Sequence, residues 1–274
     1  MNKPERVEGM QAYRTIKAVK TGSVLEMILA RPEVRNAFNP DLISELHAAI
    51  SEAEADPGLR LIVLRGEGGT FCSGGDLNWM KASLDFTPEE NRKDAADLYA
   101  LFDALDRCRL TIVGVVEGFA LGGGVGLVSV CDYVIASADA KFSLSEVRVG
   151  LVPACIGPFV LRKIGASHAR ALFLSSERFD AGRALSIGLV HEIAKDAVSL
   201  EAALARVGQS ILAASPNALS VAKEFLRALG RSAPEEQGHL AIRTLADIRV
   251  TPQAQEGLRA FLEKRPPDWE KGRA

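Results

Sequence analysis

Short apolar runs recur along the first half of this chain, each bounded by glycine, proline or small polar residues. Tyr13–Val19 and Val24–Leu29 are two such runs, split by Thr21-Gly22-Ser23, a hairpin signal. Leu61–Leu64, Ile112–Val116 and Tyr133–Ala136 are almost unbroken apolar runs, as strands buried on both faces require. Between them the period changes. Leu42, Ile43, Leu46, Ala49, Ile50 and Ala53 fall at helical spacing behind Asn39-Pro40-Asp41, an N-cap with proline at the first helical position, and Pro57-Gly58 closes that helix. Residues 88–107 repeat the spacing with Ala95, Leu98, Tyr99, Phe102 and Leu105, and a further helix is expected over 124–130. Strands alternating with helices predict the α/β class. From about residue 157 the pattern turns helical, over Ala166–Leu174, Ala181–Ile187, Leu200–Ala213, Ala218–Leu229, Glu235–Ile248 and Pro252–Glu263. No Gly/Ser-rich or proline-rich linker divides the chain. It reads as an α/β core over residues 1–195 followed by a helical segment over 196–274.

Composition narrows the function classes. The 274 residues are 47% apolar and 25% charged, with a net charge of −2. That balance does not favour a nucleic-acid or membrane-surface protein, and 6% aromatic residues is little for base stacking. The opening MNKPERVEGMQ lacks the apolar stretch of a signal peptide, and no run approaches the roughly 18 apolar residues of a membrane-spanning helix. A cytoplasmic location is expected. Cys72, Cys108, Cys131 and Cys155 form no CxxC pair, so reduced thiols are expected rather than disulfides or a metal site. His47, His168, His191 and His239 show no ligand spacing and read as structural or solvated. No G-x-S-x-G supports a serine hydrolase.

Two glycine loops carry candidate chemistry: Phe71-Cys72-Ser73-Gly74-Gly75-Asp76 and Ala120-Leu121-Gly122-Gly123-Gly124. Each follows an apolar strand and precedes a helix, which puts unpaired N–H groups at the positive end of a helix dipole. Two such loops could aim two donors at one oxygen, an oxyanion hole in which one donor is worth on the order of 3–4 kcal/mol. The plainer alternative is a pair of tight strand-to-helix turns. Gly122 and Gly124 do not open a G-x-G-x-x-G dinucleotide motif, because Leu127 stands where glycine is needed, and no P-loop lysine follows. Glu146, in Phe142–Gly150, is flanked by Leu144, Val147 and Val149. Partial burial there would raise its pKa toward a useful acid/base value; the alternative is a surface glutamate paired with Arg148.

These loops, Glu146 and their order resemble the crotonase, or enoyl-CoA hydratase/isomerase, superfamily. The likeness begins with Leu29-Ala30-Arg31-Pro32-Glu33-Val34-Arg35-Asn36-Ala37-Phe38. It runs through Phe71–Leu77, Ala120–Gly124, Cys131-Asp132 and Phe142–Pro153, and ends in Glu256–Arg265. The resemblance implies a spiral of ββα units with a C-terminal helical trimerisation region, assembled as a homotrimer or a dimer of trimers. It implies an acyl-CoA thioester as substrate, with coenzyme A part of that substrate and no separate cofactor. Gly75 and Gly123 would supply the oxyanion hole. Arg35, Ala37, Ser73, Asp76 and Leu77 would line the CoA path, and Phe261 and Lys264 would approach the adenine and phosphate, a lysine suiting a phosphate as a point charge.

One position departs from the pattern. Typical hydratases carry a first glutamate three residues after the oxyanion glycine, and here that residue is Gly126. A single remaining carboxylate, Glu146, must do both proton tasks, unless a second acid elsewhere in the chain, the substrate's own carboxylate or a backbone N–H such as that of Ala154 helps to hold the water. Single-glutamate members of the family include Δ3,Δ2-enoyl-CoA isomerases. Asp76-Leu77-Asn78-Trp79-Met80, Gly124-Val125-Gly126-Leu127, Leu144–Arg148 and Gly157-Pro158-Phe159-Val160 resemble bacterial methylglutaconyl-CoA hydratases of leucine degradation and the related carboxygeranoyl-CoA hydratases. The expectation is therefore a hydratase for a branched or carboxylated 2-enoyl-CoA, with Arg148 a candidate partner for a substrate carboxylate. An isomerase using the same residues is the alternative. A non-catalytic acyl-CoA- or RNA-binding scaffold is the third reading.

Overall fold

The hairpin forms where Thr21-Gly22-Ser23 predicts it. In the computed structural model, which describes residues 13–270, β1 (Ile16–Thr21) pairs antiparallel with β2 (Val24–Leu29), with Thr21 opposite Val24. The leader reading made on residues 1–11 lies outside the described residues. Asn39 caps α1 (Pro40–Ala55), its side chain accepting from the Leu42 N–H at 2.9 Å. β3 (Leu61–Gly66) follows. Asp76 caps a short α2 (Leu77–Ala82), and Thr87 and Glu90 form a capping box at the head of α3 (Pro88–Arg107). β4 (Thr111–Val116), β5 (Phe119–Leu121), α4 (Gly123–Val130), β6 (Tyr133–Ser137) and β7 (Lys141–Ser143) come next. The core is completed by α5 (Gly157–Ser175), β8 (Phe179–Asp180), α6 (Ala181–Ser186) and β9 (Glu192–Ala194).

The main sheet has the order β1-β2-β3-β4-β6-β9 and is parallel from β2 onward. The runs Leu61–Leu64 of β3, Ile112-Val113 of β4 and Val134–Ala136 of β6 are apolar without a break because both faces are covered. Ile62 and Leu64 of β3 point into a large core with α1, α3, α4 and α5, while Leu61 and Val63 point into a second core. That second core is closed by Leu200, Ala203 and Val207 of α7 (Ala197–Ala213). The division drawn at 195/196 thus falls between β9 and α7, and α7 is itself a layer over the sheet.

A second sheet, in the order β5-β7-β8, has no counterpart in the apolar pattern. Its strands are two or three residues long, too short to show a period. Likewise α5 starts at Gly157, ahead of the expected Ala166, because Gly165 breaks it with φ 75° and ψ 162°. Beyond α7 come α8 (Pro216–Leu229), α9 (Pro234–Arg249) and α10 (Pro252–Leu262). Lys223 ties α8 to the core through the Leu110 carbonyl and the Asp132 carboxylate, both at 2.7 Å. Among the described residues, no single helix is long and apolar enough to cross a membrane.

Candidate active site

Residues 72–75 run between two other segments, bridged to one at Cys72 and to the other at Gly75. On one side the Phe38 N–H donates to the Gly74 carbonyl at 2.7 Å, and the Asp76 N–H to the Phe38 carbonyl at 2.8 Å. On the other side the Cys72 N–H donates to the Phe119 carbonyl, and the Leu121 N–H to the Cys72 carbonyl, each at 2.9 Å. β5 then passes directly into Gly122 and α4, so the two glycine loops of the sequence lie side by side. The N–H groups of Gly75 and Gly123 donate to no group among the described residues. Gly75 precedes the cap of α2 and Gly123 is the first residue of α4, where unpaired donors and the helix dipole both favour a developing negative charge.

Glu146 opens a single 3₁₀ turn, Glu146–Val149, after β7. It reaches the glycine loop through Gly122. That residue donates its N–H to the Ser143 carbonyl at 2.8 Å and sits at φ +49°. A Cβ on Gly122 would lie 3.0 Å from Glu146 Oε1, so glycine there lets the carboxylate approach the α4 N-terminus. The second oxygen, Oε2, is buried and has no hydrogen-bond partner. Burial raises the Glu146 pKa above the ordinary carboxylate value, opposed by a backbone N–H. A partly desolvated carboxylate with one unpartnered oxygen, at the same loop as two free N–H donors, can take and return a proton while the donors hold an oxyanion.

Arg148 is not Glu146's partner. Its guanidinium donates to the Ser176 hydroxyl at 2.7 Å and the Ser176 carbonyl at 3.0 Å, holding the end of α5. Its engagement there corrects the surface-pair alternative.

Asp76 is 4% exposed and takes a different place from the other expected CoA-path residues. One oxygen accepts from Arg31 at 2.7 Å and the other from the Asn78 N–H at 2.8 Å. Burial pushes its pKa up, but Arg31 and the backbone N–H groups outweigh that and hold it below the ordinary range. Asp76 therefore fixes the backbone after Gly75 rather than facing outward. Asn36, fully buried at φ 55°, works from the other side. Its side-chain amide donates to the Glu67 and Thr70 carbonyls at 2.9 and 2.6 Å and its oxygen accepts from the Arg31 N–H at 2.9 Å. The sequence showed Arg31 and Asn36 within the resembling segment but gave no local sign of these long-range bonds.

The remaining expected residues divide by place. The Arg35 carbonyl accepts from the Ser73 N–H at 3.0 Å, the Ser73 hydroxyl donates to the Val34 carbonyl at 3.3 Å, and buried Ala37 adjoins Phe38. These three share the frame of Gly75 with Leu77, which is 81% exposed on α2. The Ala154 N–H already donates to the Val152 carbonyl at 2.7 Å, so it is taken up as a water-holding donor. Phe261, 81% exposed, and Lys264 lie at the end of α10, and no hydrogen bond or ion pair of the described residues joins them to Glu146. Cys72, Cys108 and Cys131 are buried free thiols that burial pushes up to about 12, 11 and 12, which keeps them un-ionised at neutral pH. His191 accepts the Val134 N–H on Nδ1 at 2.9 Å and stacks on Tyr133.

Gly126 sits one turn beyond Gly122, its N–H bonded to the Gly122 carbonyl at 3.2 Å. A Cβ there would meet Ile156 Cγ2 at 2.4 Å and Phe102 Cε1 at 2.9 Å. The place of a first glutamate is thus closed by apolar side chains, which sequence spacing cannot reveal.

Comparison with known proteins shows what the chain as a whole is similar to. A 2,3-dehydroadipyl-CoA hydratase from Escherichia coli is 33% identical over 91% of this chain and 96% of its own. The crystal structure of an enoyl-CoA hydratase from Shewanella pealeana superposes with a TM-score of 0.90 at 35% identity, covering 93% of this chain and 96% of that one. An enoyl-CoA hydratase/isomerase from Marinobacter aquaeolei gives 0.88 at 33% identity, covering 94% and 99%. Residues 19–272 match the enoyl-CoA hydratase/isomerase family as a whole, and with its paired glycine loops, its crotonase fold and its acyl-CoA chemistry this chain is an enzyme of that family.

Proposed function

We propose that the chain adds water across the double bond of a 2-enoyl-CoA, with Glu146 as the single acid/base and the Gly75 and Gly123 N–H groups as the oxyanion hole. The observation that carries this reading is the buried, unpartnered Oε2 of a carboxylate that Gly122 admits to the head of α4. Glu146 takes a proton from the attacking water as oxygen bonds to the β-carbon. The π electrons move onto the thioester oxygen, where the two N–H groups meet the charge. Glu146 then returns the same proton to the α-carbon, so one water is consumed and the carboxylate is restored.

Arg35, Ala37, Ser73 and Leu77 would follow the CoA moiety, with Asp76 acting through Arg31 and the Gly75 backbone. Ala154 would line the acyl side, and Phe261 and Lys264 would meet the adenine and phosphate. The acyl group we assign is branched or carboxylated, in keeping with the dicarboxylic substrate in the name of the Escherichia coli relative. We further place the chain in the cytoplasm, as a homotrimer or dimer of trimers. Exposed Leu226, Ile242, Leu245 and Val250 on and after α8 and α9 support an assembly that covers them.

A second reading is favoured by the closed wall at Gly126. With no second carboxylate, Glu146 could move a proton from the α- to the γ-carbon of a 3-enoyl-CoA without water. Assays at the enoyl-thioester absorbance with 2-enoyl and 3-enoyl CoAs, straight, branched and carboxylated, test both. Loss of absorbance with a 2-enoyl-CoA supports hydration, and gain with a 3-enoyl-CoA supports isomerisation. No change with any substrate would overturn the proposed chemistry.

A further inference from the structure

Gly122 is the N-cap of α4 and Gly126 stands four residues on within it, about 6 Å further along the helix axis. Gly122 faces the Glu146 carboxylate and Gly126 faces Ile156. The Ile156 side chain is 3% exposed, and its Cγ2 and Cβ would stand 2.4 and 3.0 Å from a Cβ at position 126. Behind it, Phe102 is fully buried, with its ring centroid 6.0 Å from that of Phe38 and 5.9 Å from that of Phe159. One turn from the acid/base, then, the wall is a branched aliphatic group backed by three aromatic rings. It has no room for a second side chain from α4.

We propose that Ile156 is the specificity-determining residue of this site: its Cγ2 methyl takes the space a residue at 126 would need and limits how far an apolar acyl group reaches past Glu146 along α4. This rests on the reading of Glu146 as the acid/base, because that fixes where the reacting carbons lie. Two consequences follow from close packing. A side chain at 126 and a full isoleucine at 156 exclude each other, so their substitutions couple. Shortening Ile156 to alanine removes three carbons beside the acyl chain, room that a longer acyl group can fill. Each added methylene so buried is worth about fourfold in binding.

The experiment uses the full-length protein in four forms: wild type, Gly126→Ala, Ile156→Ala and the double variant. Thermal unfolding reads the coupling. The double variant is expected to lose far less in unfolding temperature than the two single losses added together. Calorimetric titration with saturated butyryl- to octanoyl-CoA reads specificity without turnover. In Ile156→Ala the ratio of octanoyl to butyryl affinity is expected to rise about tenfold or more over wild type. Additive stability losses, or an unchanged affinity ratio, would overturn the proposal. If Gly126→Ala fails to fold alone, a folded double variant is the rescue expected, and an unfolded one counts against the pairing. Absence of turnover in wild type would weigh on the Glu146 reading alone, since both readouts here are independent of catalysis.

Discussion

Replacing Asp76 tests whether a buried ion pair holds the oxyanion loop. Asp76 and Arg31 side chains are 5% and 15% exposed and meet at 2.7 Å, so removing the carboxylate leaves a guanidinium charge with little access to water. Breaking such a pair costs about 3–5 kcal/mol. Asp76→Asn keeps the side-chain cap of α2 and loses the charge, so about 3 kcal/mol is expected. Asp76→Ala also loses the cap on the Asn78 N–H, adding about 1 kcal/mol. For a chain of this size, 3 kcal/mol lowers the unfolding midpoint by about 10 °C. The acid limb gives a second reading. Because the folded pKa of Asp76 is held below the unfolded value near 3.8, its stabilisation is full above that value. It is lost as pH falls through the folded one, so Asp76→Asn should flatten that loss. Calorimetry across pH, with turnover measured well below the midpoint, is the assay. Turnover should fall with stability, since the Gly75 N–H is no longer fixed. Variants that unfold within a degree of wild type and keep full turnover would refute the reasoning.

The Gly123 donor can be separated from its packing. A Cβ at 123 would press on Phe38 at 2.9 Å, so Gly123→Ala and Gly123→Pro share that strain, but the proline alone loses the N–H and is tolerated at a first helical position. Turnover in Gly123→Pro should be about 10²-fold or more below that in Gly123→Ala; equal turnover would remove Gly123 from the oxyanion hole. The pH profile of kcat/KM reads Glu146. Activity needs the ionised base, so its acid limb should lie above the ordinary carboxylate value of 4.5, and a limb at or below it would contradict the burial seen here. By the same sign, the raised folded pKa makes the ionised form a cost that grows as pH rises through it. Glu146→Gln should therefore unfold no lower than wild type at neutral pH.

Much of this architecture is legible as pattern. The three buried strands announce themselves because a sheet covered on both faces needs apolar residues throughout, and α1 because Asn39-Pro40 and Pro57-Gly58 bracket it. The β5-β7-β8 sheet is not legible, since two or three residues cannot carry a period and their pairing depends on the glycine loops being folded first. In the site, the loops and Glu146 stand out by residue type. What acts on them does not. Arg31 reaches Asp76 across 45 positions, and Arg148 leaves Glu146 for Ser176, 28 positions away. Ile156 closes the space over Gly126 from another helix junction, so the missing glutamate reads in sequence as an absence and in structure as a filled wall.

The central claim, that one carboxylate performs both proton transfers at this site, is tested most directly by Glu146→Gln. Glutamine keeps the shape against Gly122 and cannot serve as the base. Turnover of the best substrate in the panel should fall by about 10²-fold or more, with the affinity for a saturated acyl-CoA unchanged within a few-fold. Turnover near that of wild type would contradict the claim.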